Sequence, residues 1–110
     1  MTALRLYLVA AWIVVAAVTA WAMATLGLRE LFGTLEADLS HPWRAQLDSD
    51  LEAHLLLVAA WIGWRHRWRP DGLIAGVAVL LLGALFTLPY LLLATFRAAD
   101  MRALLLGERA

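Results

Sequence analysis

The sequence predicts an all-α integral membrane protein with three transmembrane helices and one short amphipathic helix in the interface. Three observations carry that expectation. Residues 73–96 hold no charged side chain, and neither do residues 6–26. The third is composition: 64% of the 110 residues are hydrophobic, against roughly 45–50% in a soluble domain. At about 1.5 Å rise per residue, the longer run makes a helix of about 36 Å, enough to cross a hydrocarbon core of about 30 Å with some tilt.

Residues 6–26 read as the first span, with helix bounds near 5–27. Arg5 before an Ala-rich apolar run also fits a signal peptide, but an h-region of about 7–15 residues is shorter than this one. Ala16, Ala20 and Ala24 recur every four residues. In lipid, such a row lets a second helix approach closely, although an Ala-rich helix also produces it by chance.

Gly27 ends that helix. Leu28, Leu31, Phe32, Leu35 and Leu39 then form one apolar stripe, with Glu30, Glu36 and Asp38 off it. That spacing predicts an interfacial helix over about 28–39, weakened by Gly33 and stopped by Ser40-His41-Pro42. Trp43 suits the headgroup layer.

The second span is expected over about 50–65. Ser49-Asp50-Leu51-Glu52 matches a capping box. The uncharged core, residues 55–64, is short, so Asp50, Glu52 and His54 enter the interface or a bundle interior. Arg65-His66-Arg67-Trp68-Arg69-Pro70-Asp71 is a tight basic loop, and it turns the chain into a third span over about 72–96. Gly83 and Pro89 lie inside that span; Pro89 predicts a kink around residues 85–86, with Thr87 a candidate to satisfy the freed carbonyls. Residues 97–110 read as a helix extension that frays or lies on the surface.

Balanced charge, nine arginines against nine acids, argues against nucleic acid as a partner, because that binding needs a basic footprint. The absence of cysteine excludes disulfides, thiolate metal sites, thiol catalysis and covalent c-type haem. No catalytic motif is present, so the chain is read as non-enzymatic and no cofactor or metal is assigned.

The candidate polar site is Asp50 with His54, joined by His41 and Tyr90. Asp50 and His54 stand at i, i+4 and can touch. Three readings stay open: a helix cap at the interface, a structural contact within the bundle, or a ligand or proton site. For a metal, His41, His54 and Asp50 form the one feasible cluster, since His66 falls on the opposite side. Arg65, Arg67 and Arg69 read as topology determinants or lipid headgroup contacts. Gly83 and Pro89 mark the kink, where Thr87, Pro89 and Tyr90 either line a pocket or serve packing. The tryptophans fit interfacial anchors better than a pigment or quinone site.

One pattern spans several elements. A loop carries Pro42-Trp43, Asp50 opens the second span, Trp64-Arg65 closes it, and Gly83 precedes Leu88-Pro89-Tyr90-Leu91. This resembles small three-helix bacterial membrane proteins grouped as a domain of unknown function. The likeness covers about residues 40–96, with a looser match over the first span. It implies the architecture and no activity; the residues matching Asp50 and Pro89 are pattern positions in that family.

The resulting expectation is a multi-pass protein of the bacterial inner (cytoplasmic) membrane. Its N-terminus would be cytoplasmic and its C-terminus outside, judged from the dense arginines of the 65–71 loop. Its role would be that of an accessory or structural subunit, packed against itself as a homo-oligomer or against a larger membrane complex. The alternatives are an oligomeric transporter or channel-like unit with Asp50 and His54 near the path, and a lipid, pigment or haem binder.

Overall fold

A computed structural model describes residues 1–110, and the chain is all-helical. Six α-helices follow in order: α1 (Thr2–Thr25), α2 (Arg29–Leu39), α3 (Pro42–Arg65), α4 (Pro70–Leu82), α5 (Ala84–Arg97) and α6 (Met101–Leu106), and a closing 3-10 turn covers Gly107–Arg109. One helix, α1, is long and apolar enough to cross a membrane, and it lies near the N-terminus, where a signal sequence would meet the same criteria.

α1 and α2 fall where their hydropathy puts them. Gly27, at φ 79°, separates the two, a conformation that an L side chain resists. α3 begins earlier than expected. Its first residue is Pro42, and His41 is the N-cap, its Nδ1 accepting from the Arg44 N–H at 3.4 Å. Proline lacks the N–H that the first turn leaves unpaired, so it opens a helix as readily as it closes one. The Ser49–Glu52 capping box is therefore unused: it lies inside α3, which runs two turns further toward the N-terminus than the expected start near residue 50.

The larger correction concerns the third span. The run 72–96 is not one kinked helix. It breaks at Gly83, with φ 59° and ψ −133°, into α4 and α5. His66 fixes the direction of α5, because it meets both Asp71, at the start of α4, and Tyr90, midway along α5. In a continuous helix those two residues would stand about 28 Å apart. The chain therefore folds back at Gly83, and α4 and α5 form an antiparallel hairpin. Thr87 serves this turn rather than the proline, donating through Oγ1 to the Gly83 carbonyl at 3.1 Å.

The helices are neighbours in the order α3, α4, α5, α1, and α2 lies against the N-terminal half of α3. Small residues bring α3 and α4 together: a Cβ on Gly76 would stand 3.2 Å from the Ala59 carbonyl oxygen, and one on Gly72 would strike His66. Such contacts replace hydrophobic drive where the surroundings are apolar. α1 packs on α5, with Leu8 buried, Ala16 half-buried and Ala20 and Ala24 exposed, so the alanine row is covered only in part within the chain.

Candidate functional site

The polar groups of the bundle converge at the end where α3 passes into α4. Arg67 and Trp68 both take left-handed conformations, φ 56° and 59°, which cost non-glycine residues roughly 1–3 kcal/mol each. The Trp68 N–H returns to the Gly63 carbonyl at 2.8 Å, and the Trp68 ring covers Gly63, where a Cβ would come within 2.7 Å of it. This turn exposes Arg67 and Arg69 and turns His66 inward.

Arg65 is only 8% exposed. Its Nε donates to the Leu104 carbonyl at 2.6 Å, and one terminal nitrogen donates to the Tyr90 hydroxyl at 3.0 Å. Of the three arginines read as headgroup contacts, Arg65 is thus a buried strut, because two acceptors from separate segments satisfy a charge that would otherwise be costly to bury. The Tyr90 hydroxyl also meets His66 Nε2 at 2.6 Å. The other ring nitrogen, His66 Nδ1, is buried without a hydrogen-bond partner. It faces Asp71 Oδ2 at 3.5 Å and Glu108 Oε1 at 3.7 Å, while Arg69 pairs with the second oxygen of Glu108 at 3.4 Å.

Glu108 comes from the C-terminal segment, expected on the far side as a frayed extension. Instead, Ala98 is extended, Asp100 caps α6, and the tail folds back over the end of α3. The Trp61 indole donates to the Leu105 carbonyl at 3.0 Å, and Arg109 Nε donates to the Trp64 carbonyl at 2.6 Å. Arg5, at the other terminus, donates to the Thr95 hydroxyl and carbonyl at 3.1 and 2.9 Å and lies 4.3 Å above the Phe96 ring. Both chain ends therefore share one end of the bundle, contrary to the expected opposite placement. The reversal at Gly83 is the reason: it adds a leg.

The expected candidates are distributed differently. Asp50 and His54 do touch, with His54 Nδ1 at 2.7 Å from the Asp50 carbonyl and 3.5 Å from its carboxylate, but both side chains are exposed. His41 is more than three helical turns from His54, so no His41–His54–Asp50 metal cluster exists. Tyr90 belongs with His66 at the opposite end. Three ligating atoms do come together, on His66, Asp71 and Glu108, all within 4.8 Å of one another. Sequence reasoning missed this group because it depends on the reversal and on the returning tail. The legible signal was His66 and Asp71 flanking a tight turn.

A further acidic pair, Asp38 and Asp48, joins α2 to α3. A hydrogen bond between the two carboxyls, then partial burial and the charges of Asp38 and Glu52, raise the Asp48 pKa above its usual 3.8. Comparison with family models, curated proteins and solved structures gave no match.

Proposed function

We propose that the chain is a multi-pass protein of the bacterial inner membrane, acting without enzymatic activity as an accessory or structural subunit. The observation that carries this reading is the inverted distribution of apolar side chains. Only 10 of 110 residues are buried, while Leu81 is 79% exposed, Ile74 71%, Trp21 70% and Leu57 70%. Monomeric soluble proteins rarely expose such continuous apolar surface, and in a bilayer it is the expected exterior. The α1 contacts of Arg5 and Trp12 with α5 favour a retained span over a cleaved signal.

Four legs, α1, α3, α4 and α5, then replace three spans. α4 and α5 are about 20 Å each, shorter than the apolar core, so their hairpin enters and leaves from the arginine-rich side. That end carries Arg5, Arg65, Arg67, Arg69, Arg97, Arg102 and Arg109, and the other end only Arg29 and Arg44. With this arrangement the positive-inside rule favours both termini in the cytoplasm. The unpartnered face of α1 and its exposed alanines support association with a second copy or a larger complex.

The test of topology uses the absence of native cysteine. A membrane-impermeant maleimide on intact spheroplasts should label Ser40→Cys and spare Arg102→Cys until the membrane is opened. Equal labelling of both would sink the orientation. Native mass spectrometry after gentle release should give a heteromeric or homo-oligomeric mass; a lone monomer would remove the subunit reading.

A further inference from the structure

We propose that His66, Asp71 and Glu108 form a binding site for a divalent transition-metal ion of the zinc type, which fastens the C-terminal tail to the α3–α4 turn. The first support is the donor geometry. Zinc holds imidazole nitrogen and carboxylate oxygen at about 2.0–2.2 Å, so tetrahedral donors stand about 3.3 Å apart. His66 Nδ1 is 3.5 Å from Asp71 Oδ2 and 3.7 Å from Glu108 Oε1, and the whole set lies within 4.8 Å. A movement of a few tenths of an ångström for the histidine contacts, and up to about 1.5 Å between the carboxylates, closes it around an ion.

The second support is independent of the carboxylates. His66 Nδ1 is buried and has no hydrogen-bond partner, an uncommon and costly state for a ring nitrogen. The opposite nitrogen is held by the Tyr90 hydroxyl at 2.6 Å, and Tyr90 is held by Arg65 at 3.0 Å. A metal-bound histidine characteristically has its second nitrogen fixed in this way, which orients the ring and sets its tautomer. Arg69 engages the Glu108 oxygen that does not face His66, leaving Oε1 free to ligate. Asp71 and Glu108 are exposed, so an ion and a completing water have a route in. One imidazole and two carboxylates suit zinc or manganese better than calcium or magnesium, which prefer oxygen alone.

The three ligands come from the end of α3, the start of α4 and the last turn of the chain. Occupancy therefore adds a link to α4 for a tail that the bonds of Trp61, Arg65 and Arg109 otherwise hold on α3 alone.

The experiment uses the full chain, purified in detergent, stripped with chelator and equilibrated with Zn2+ alone. Elemental analysis should find one zinc per chain. Glu108→Gln, in the exposed final turn, should weaken binding at least about tenfold, and Asp71→Asn likewise. His54→Gln and His41→Gln should leave it unchanged. Trypsin cleavage after Arg102 should slow when Zn2+ is added to the native protein and not when it is added to Glu108→Gln. Absence of bound zinc, or retention of full affinity in Glu108→Gln, overturns the proposal, and neither result touches the membrane topology above.

Discussion

The indole N–H of Trp12 donates to the carbonyl of Leu85 at 3.2 Å, and Leu85 is the residue whose helical hydrogen bond Pro89 removes. A proline inside a helix leaves the carbonyl four residues earlier without its donor. In apolar surroundings that group must find another partner, and α1 supplies one. The same contact sets the height of α1 against α5, so one side chain both repairs the helix and positions its neighbour.

Trp12→Phe keeps most of the ring and removes the donor. It should lower stability by about 1 kcal/mol, read as a fall in thermal midpoint in detergent. Combining it with Pro89→Ala, which restores the backbone donor to Leu85, should recover most of the loss. If the double variant shows the full loss of Trp12→Phe, the indole acts through packing alone.

Gly83 is the hinge of the α4–α5 hairpin. A Cβ there would meet only Leu55 Cδ2, at 3.9 Å, so space is not limiting. The backbone is: φ 59° with ψ −133° is a region open essentially to glycine. Gly83→Ala should therefore cost about 1–3 kcal/mol despite the room, measured by denaturant titration in mixed micelles. A neutral result would mean that the hairpin opens toward a straighter helix at little expense.

The apolar runs, the α2 stripe and the basic turn were legible because each is a local pattern. The reversal was not. Leu82, Gly83 and Ala84 are as apolar as the helices they join, so hydropathy runs unbroken through the turn; a soluble protein would have marked it with polar residues. The glycine was the sole sign, and it reads equally well as a kink. His66, Asp71, Tyr90 and Glu108 followed the same fate, since a third span running straight carries Tyr90 and the tail away from His66. The start of α3 is ambiguous in the sequence because Pro42 suits the end of one helix and the first turn of the next equally well.

Asp48 makes the contact between α2 and α3 sensitive to pH. Its carboxyl holds a proton more tightly in the folded chain than at its ordinary value of 3.8, mainly through the hydrogen bond with Asp38. Stability is therefore gained as pH falls through the raised folded value, and the gain is complete only below 3.8. Above the raised value, the Asp38–Asp48 repulsion acts in full. Protection factors for α2, corrected for the pH dependence of intrinsic exchange, should rise on mild acidification, and Asp48→Asn should raise them at neutral pH and flatten the dependence. Unchanged protection across that interval would remove Asp48 from the contact.

Tyr90→Phe tests whether the polar end of the bundle is one connected unit. The hydroxyl is the acceptor for the buried Arg65 and the partner of His66 Nε2, so its removal leaves an Arg65 donor and a ring nitrogen unsatisfied. Such a group costs about 1–3 kcal/mol when water cannot replace the bond. Arg65 also supports the tail through Leu104. The loss should therefore appear twice: as a lower thermal midpoint, and as faster trypsin cleavage after Arg102, in the tail that Arg65 holds. Arg65→Met should give the tail effect with less change at His66, because a similar volume is kept while the charge needing acceptors disappears. If Tyr90→Phe lowers stability and leaves the tail as protected as before, the docking of the tail rests on Trp61 and Arg109, whose bonds to Leu105 and Trp64 do not involve Tyr90.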